Sequence, residues 1–216
     1  MPVSPASISV DDEMDATSKN PVQNNVIYDY INTTLSSASM TNLQKAITAI
    51  YDGEMTKLKN RYVIRLDPDF IQEVGLSLTE VDLPSLSEIP LYCFYGCADL
   101  ETVNAPRCDT VRGSAFSYCS SLETVVLGGE QDATFYNATT IFQYCDSLTD
   151  VYLGGTGVWN IDGNVNAYQM FQYPDNSNPL KIHVPTSLLA EYRSSSKWGG
   201  APFMYNRIVG YDWRSY

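Results

Sequence analysis

Few side chains of this sequence could carry out chemistry, and their spacing favours structural roles. The metal-ligating types are five cysteines and a single histidine, His183. Cys93 and Cys97 lie four residues apart, but no further Cys or His pair completes a tetrahedral metal site. Asp162 and Asp175 fall in an irregular segment where a pair of carboxylates could act in catalysis, although nothing singles them out. We therefore expect a protein that is not an enzyme and that binds neither a metal nor another cofactor.

The overall charge is strongly negative, with 13 Lys and Arg against 25 Asp and Glu and a formal net charge of −12. Nucleic-acid binding requires a basic face, so this balance argues against a nucleic-acid partner. No stretch reaches the ~18–20 apolar residues that a membrane span needs. The N-terminus has neither the basic start nor the apolar stretch of a secretory signal, and we expect an intracellularly assembled protein.

A phenylalanine, a cysteine and a leucine recur at three-residue intervals along the middle of the chain. The copies are Phe94–Cys97–Leu100, Phe116–Cys119–Leu122 and Phe142–Cys145–Leu148. The successive phenylalanines lie 22 and 26 residues apart, and Phe171 begins a degenerate copy after another 29. A repeat of this length indicates a solenoid, because one unit cannot bury its apolar face without stacked neighbours.

Each repeat predicts one short strand and one helical turn. Apolar residues follow each leucine at offsets of three and five, as in Leu122, Val125 and Leu127, which is typical of a strand with one inward face. The Phe-x-x-Cys spacing suits a single helical turn that faces the same interior. Gly128-Gly129 and Gly154-Gly155 directly follow two strands and predict sharp turns. Stacking four to five such coils should produce a narrow parallel sheet.

Three sequence strings carry a resemblance to a known family: CFYGCADLETV, AFSYCSSLETVVL and IFQYCDSLTDVYL. They resemble the leucine-rich repeats of BspA-like surface proteins, whose usual form is A-F-x-x-C-x-x-L-x-x-V-x-L, over about residues 76 to 184. The resemblance implies a leucine-rich-repeat solenoid of short parallel strands plus helical turns at residues 61–184. It also implies binding to proteins or cell surfaces, without naming the target.

The two ends of the solenoid are predicted separately. Residues 62–66, in which Tyr62, Ile64 and Leu66 alternate with Val63 and Arg65, should form a strand that covers the N-terminal end. The string KIHVPTSLLAEYRSSSKW resembles the C-terminal cap of such arrays and places a cap at residues 185–216. That resemblance implies that Pro185 ends the last strand and that Thr186 caps a helix at 187–196. The cap residues implied to cover the open core are Leu188, Leu189, Tyr192 and Trp198.

Three of the cysteines occupy one repeat position, which the repeat directs inward. Cys97, Cys119 and Cys145 would form a ladder, and a disulfide between two of them would leave the third unpaired. Cys93 and Cys108 fall outside the repeat register. A chain without an export signal normally folds in a reducing compartment. We expect reduced, buried thiols that act as small hydrophobic side chains.

The first 60 residues differ in kind from the repeats. Residues 1–20 are polar and predict an extended segment, and Pro21 suits the first position of a helix. A second helix is predicted from about residue 41 to 60, with Leu43, Ile47 and Ile50 on one side. These helices at 21–60 predict either a hairpin on the solenoid or a stalk that associates with copies of itself, most simply as a homotrimer.

The run DATSKNPVQNNVI, residues 15–27, resembles an element found near the N-termini of bacteriophage fibre and other virion surface proteins, with Asn25 replacing the lysine of that element. The resemblance implies that a virion anchor includes Asn20, Pro21, Val22, Gln23 and Asn24. It implies a head or tail fibre at the virion surface, assembled in the host cytoplasm, with capsid or tail proteins and copies of itself as partners. The alternative is a BspA-like bacterial surface adhesion or protein-binding module.

Tyrosine usage supplies the one candidate binding surface. Tyr118, Tyr144 and Tyr173 hold the same repeat position, directly before the cysteine or its replacement, among sixteen tyrosines in all. Because Phe and Cys point inward, this position should point sideways or outward, and stacked coils should align the rings. Such a stripe suits contacts with a glycan or protein receptor on a host-cell or mucosal surface. In the alternative interpretation the rings pack on one another and hold adjacent coils together.

Overall fold

The computed structural model describes residues 57–59, 63–66, 68, 71, 78–129, 133–172, 177, 179–201 and 203–212. The predicted extended segment, the first helix and most of the second lie outside these residues. So do the predicted oligomerisation residues Leu43, Ile47 and Ile50, and the anchor residues at 20–24.

Two parallel β-sheets form the body of the described region. The larger sheet contains β1 (Lys57–Lys59), β2 (Glu80–Asp82), β4 (Thr102–Ala105), β6 (Thr124–Leu127), β8 (Asp150–Leu153), β10 (Lys181–Pro185) and β11 (Ile208–Tyr211), in that order. The smaller sheet contains β3 (Glu88–Ile89), β5 (Thr110–Val111), β7 (Thr134–Phe135) and β9 (Asn160–Ile161). Successive coils place one strand in each sheet, which is the arrangement of a solenoid.

Strand register follows the repeat and confirms the predicted inward column. Val103 pairs with Val81 on one side and with Val125 on the other, and all three are buried. Val151 and Ile182 continue this row. Leu100, Leu122 and Leu148 are buried as well. The repeat thus fills the core with residues from every coil, and no single coil could do this alone.

The Phe-x-x-Cys segments are consecutive tight turns, so the predicted helical turn is wrong. The amide of Cys119 donates to the carbonyl of Phe116 at 3.1 Å, but the residue between them, Tyr118, has φ +64°. The amide of Tyr118 donates to Gln143 O on the next coil at 2.7 Å. A helix needs these amides for its own i−4 carbonyls. Here the Cys119 amide closes its own turn, and the Tyr118 amide joins neighbouring coils.

Helices are short and concentrated near the C-terminal end of the described region. Helix α1 (Ala167–Met170) begins at a capping box in which Asn166 and Gln169 exchange hydrogen bonds. Helix α2 (Leu189–Ser194) follows a 3₁₀ turn at Thr186–Leu188. Two more 3₁₀ turns span Ala138–Thr140 and Tyr205–Arg207. No helix among the described residues is long and apolar enough to cross a bilayer.

At its N-terminal end the larger sheet begins with β1, not with the strand predicted at residues 62–66. Leu58 is buried and pairs with Val81, although the sequence assigned it to a helix. The two flanking lysines, Lys57 and Lys59, bind the Glu80 carboxylate at 3.1 and 2.6 Å. Ile64, by contrast, is 60% exposed. One inward leucine between two salt-bridged lysines therefore extends the sheet.

The segment predicted as a C-terminal cap contains the expected buried side chains, but it differs from the prediction at Thr186 and in an additional strand. β10 ends at Pro185, and the cap side chains Tyr192 and Trp198 are fully buried. The Tyr192 hydroxyl accepts a hydrogen bond from the amide of Trp159 at 3.0 Å. Thr186 does not cap the helix: it is the first residue of the 3₁₀ turn, and Leu188 occupies the N-cap position of α2. The addition is β11, which pairs with β10 beyond the predicted last strand.

The phenylalanines of the repeat form a continuous buried stack, here called the phenylalanine column (Phe94, Phe116, Phe142 and Phe171). Successive ring centroids lie 5.5, 5.4 and 5.0 Å apart, with interplanar angles of 6°, 6° and 18°. Tightly packed coils are needed to bring the rings this close. Gly128 allows such an approach at one turn, since a Cβ there would lie 1.5 Å from the Pro106 carbonyl oxygen.

All five cysteines are free, in agreement with the prediction of unpaired thiols. The Cys119 thiol donates to the Phe94 carbonyl at 3.0 Å, and the Cys145 thiol donates to the Phe116 carbonyl at 3.0 Å. Burial raises the pKa of Cys97 to about 12, and it raises the pKa of Cys119 further. The Cys119 and Cys145 thiols therefore each join one coil to the previous one as a neutral donor. Cys145 is the least enclosed of the five.

Candidate functional site

Four tyrosines form a row of exposed rings across three coils, here called the tyrosine ridge (Tyr92, Tyr95, Tyr118 and Tyr144). Their exposed fractions are 50%, 40%, 44% and 45%. Neighbouring ring centroids are separated by 5.7, 5.3 and 4.6 Å, and interplanar angles fall from 77° through 61° to 35°. The ridge is therefore continuous but not flat.

The backbone of the turns positions these rings outward. Tyr118 and Tyr144 are the third residues of the Phe-x-x-Cys turns, with φ of +64° and +59°. In the first coil the same position is Gly96, with φ +76°. Glycine adopts this left-handed region without a steric penalty, whereas a side chain with a Cβ costs roughly 1–2 kcal/mol. Two of the three described turns thus carry a bulky residue at a position that suits glycine.

The structure places two of the three predicted tyrosines in the ridge and adds two others. Tyr118 and Tyr144 lie side by side, whereas Tyr173 lies outside the described residues. Sequence reasoning missed Tyr92 and Tyr95, because the first coil has glycine at the tyrosine position. The signal that could have found them is the run Tyr-Cys-Phe-Tyr-Gly, in which Tyr95 precedes that glycine directly.

The surroundings of the ridge are polar and acidic. Partial desolvation raises the pKa of the Tyr118 hydroxyl, and Tyr144 and Tyr95 add to the effect. This hydroxyl therefore stays protonated and able to donate a hydrogen bond at physiological pH. The turn that follows each ridge position bears exposed side chains, including Asp99, Ser120 and Asp146. The ridge thus combines aromatic surface with hydroxyl and carboxylate groups.

The single histidine lies in a separate aromatic cluster that joins three strands of the larger sheet. His183 Nε2 lies 2.7 Å from Asp150 Oδ1. Its ring stacks on Tyr152, with centroids 4.1 Å apart and planes 9° apart, and it meets the edge of Tyr211. These contacts connect β8, β10 and β11. We interpret the cluster as a structural contact that stabilises the C-terminal end of the larger sheet.

The predicted carboxylate pair is not brought together by the described structure. Asp162 is exposed and accepts a hydrogen bond from the amide of Gly163 at 2.8 Å, and Asp175 lies outside the described residues. Within the part of the chain that the structure describes, no group of three or more His, Cys, Asp or Glu side chains could hold a metal ion.

Comparison with known proteins bears on the repeats. The family model of the BspA type leucine rich repeat region matches residues 73–172 in six copies. Residues 73–172 are BspA-type leucine-rich repeats. These BspA-type repeats contain the whole tyrosine ridge and the whole phenylalanine column. The match begins close to the predicted start at about residue 76 and ends before β10. No curated protein matches the chain.

Proposed function

We propose that the repeat domain is an attachment module and that the tyrosine ridge is its contact surface. BspA-type repeats fit a role in surface adhesion or protein binding, and the ridge is a row of exposed aromatic rings on that scaffold. Tyrosine offers a large contact area and loses little side-chain entropy on binding. The module binds without catalysis.

One observation carries this proposal: the left-handed backbone at Tyr118 and Tyr144. The equivalent Gly96 fits the same turn, so tyrosine at these positions is unfavourable for the fold alone. Strained residues persist where the surrounding structure holds them, and they cluster at sites of function. Tyr92 adds a third ring with positive φ, at +59°. A binding role accounts for the retention of these rings.

We further propose that the module is displayed by a bacteriophage virion, as a head or tail fibre. Support comes from residues 15–27, whose resemblance to virion surface proteins was described above. In this proposal residues 1–20 contact a capsid or tail protein, and residues 21–60 bring copies together as a trimer. The chain then resides on the virion surface after assembly in the host cytoplasm, with the repeats available to host-cell or mucosal surfaces.

The alternative is a BspA-like bacterial surface module without a virion. The repeats favour the two proposals equally, since the attachment surface is the same in both. Mass spectrometry and immunogold labelling of purified phage particles separate them. Recovery of this chain from intact particles supports the virion, whereas recovery only from the bacterial envelope contradicts it.

Attachment itself is tested with fluorescently labelled full-length protein and bacterial cells. We expect saturable binding by the parent protein and loss of binding when Tyr118 and Tyr144 are both replaced by glycine. The matched control is Tyr205→Ala, because Tyr205 is 53% exposed but lies in the cap, against Arg193. Equal binding by all three proteins would refute the ridge as the contact surface.

A further inference from the structure

We propose that the tyrosine ridge binds one chain of an uncharged linear polysaccharide that runs along the ridge, across the coils. This inference rests on the proposed function, since it names the ligand class of the same surface. The spacing of the rings, the charge around them and the hydrogen-bonding groups beside them favour this ligand.

The spacing of the rings favours a glycan over a peptide. Steps between coils along the ridge are 5.3 and 4.6 Å. An extended peptide repeats on one side about every 6.6 Å, and a polyproline helix repeats about every 9 Å. One pyranose unit with its glycosidic oxygen advances a sugar chain by about one ridge step. Successive sugars can therefore contact successive rings, which neither type of peptide can do.

The negative charge near the ridge argues against two other kinds of polymer as ligands, single-stranded nucleic acids and anionic polysaccharides. The chain carries a net charge of −12, and Asp99 and Asp146 are exposed in the turns next to the ridge. Single-stranded nucleic acid also stacks on aromatic rings, but it needs a positively charged groove. Anionic polysaccharides meet the same repulsion. Arg112, which lies over the exposed ring of Tyr136, forms an ion pair with Glu88.

Polar groups beside the rings complete the match to a sugar. Sugars present apolar C–H faces together with hydroxyl groups, so they bind best where aromatic surface adjoins hydrogen-bonding side chains. Asp99, Ser120 and Asp146 supply carboxylate and hydroxyl groups in the turns that follow the ridge residues. The tilt between neighbouring rings, 61° and 35°, suits a chain whose units rotate about their glycosidic bonds.

The test is calorimetry of the full-length protein with oligosaccharides of defined length. The probes are β-1,4-linked oligomers of glucose, N-acetylglucosamine, mannose and xylose, from disaccharide to hexasaccharide. We expect at least one series to bind, with an affinity that rises up to about the tetrasaccharide and then levels off, because the ridge has four rings. Tyr118→Gly should weaken binding about tenfold or more, whereas Tyr205→Ala should leave it unchanged.

Two comparison ligands of the same length test whether the ridge prefers a neutral sugar chain. An oligomer of β-1,4-linked mannuronate, which is anionic, and a polyproline peptide should bind much more weakly. Tighter binding of either comparator, or failure of every neutral series to bind, would overturn the glycan assignment. If replacement of both Tyr118 and Tyr144 by glycine still abolishes cell attachment in that case, the ridge remains a contact surface with a different ligand. If attachment survives the double substitution, the proposed function itself fails.

Discussion

The phenylalanine column and the tyrosine ridge are built from the same turns but face opposite ways. Both advance about one ring per coil, at 5.5 and 5.4 Å inside and at 5.3 and 4.6 Å outside. Inside, the planes lie within 18° of parallel, whereas outside they are tilted by 61° and 35°. The stacking of the coils therefore sets the distance between neighbouring rings. Packing by other side chains around the inner rings sets the orientation of the ring planes. Inside, the rings support the fold. Outside, they remain available to a ligand.

The largest expected difference between the two faces is in chemical access. Cys97 and Cys119 lie beside the phenylalanine column and are fully enclosed, and burial raises the pKa of both thiols. We expect alkylation of these thiols to be about a thousandfold slower in the native protein than in denaturant, because it requires opening of the coils. Cys145 should react first, since it is only half-buried. Rapid labelling of all three in native protein, followed by mass spectrometry, would contradict the enclosed column.

Removing a ring from the column should strongly destabilise the protein. Phe116 stacks on both Phe94 and Phe142, so Phe116→Ala should lower the free energy of unfolding by about 3–5 kcal/mol. Tyr118→Phe, two residues away on the ridge, is the matched control and should change it by less than about 0.5 kcal/mol. Both values come from urea denaturation. A Phe116→Ala protein as stable as its parent would mean that the column does not support the fold.

Alkaline pH should also separate the interior from the surface. Burial raises the pKa of Cys97, Cys108 and Cys145 to about 12, from an ordinary value of 9.0. Between those two pH values the unfolded chain loses thiol protons that the native state keeps. The free energy of unfolding should therefore be constant below about pH 9 with respect to these thiols, and it should fall as pH rises toward 12.

Denaturation at a series of pH values measures this decline. Cys97→Ser is the control, because serine does not ionise in this range and the variant should lose less stability at high pH. An identical decline in the parent and in Cys97→Ser would show that the Cys97 thiol does not contribute to it.

The comparison also explains what the sequence could and could not predict. The column was predictable because Phe-x-x-Cys-x-x-Leu recurs with its apolar residues in fixed register. The smaller sheet was not, since its strands are two residues long, as at Thr110–Val111, and leave no periodic pattern. β1 could not be predicted from the sequence, because Leu58 is a single apolar residue between two lysines and gives no alternating pattern. β11 lies within the cap region, where the repeat has ended.

The candidate site was predictable only where it obeyed the repeat. Tyr118 and Tyr144 occupy one repeat position, and they could be aligned without a structure. Tyr95 joins the ridge from the preceding position, directly before Gly96. The left-handed backbone at the tyrosine position carries no sequence signal when the residue there is not glycine. That conformation is nevertheless the main argument for a binding role.

A smaller effect tests this backbone argument at Tyr144. Replacement by alanine removes the ring but keeps a Cβ in the left-handed region, whereas replacement by glycine relieves the strain. Tyr144→Gly should therefore be more stable than Tyr144→Ala by about 1 kcal/mol. Thermal unfolding of the two variants provides the comparison. An alanine variant at least as stable as the glycine variant would mean that the turn is not strained.

The most direct test of the central claim is the unfolding free energy of Tyr118→Gly. The ring of Tyr118 contacts both Tyr95 and Tyr144, and its removal measures how much these contacts hold the coils together. Because strain relief offsets the lost ring contacts, we expect a change of less than about 1 kcal/mol relative to the parent. A loss of about 2 kcal/mol or more would contradict the account, since the ridge would then be part of the scaffold rather than a surface kept for a ligand.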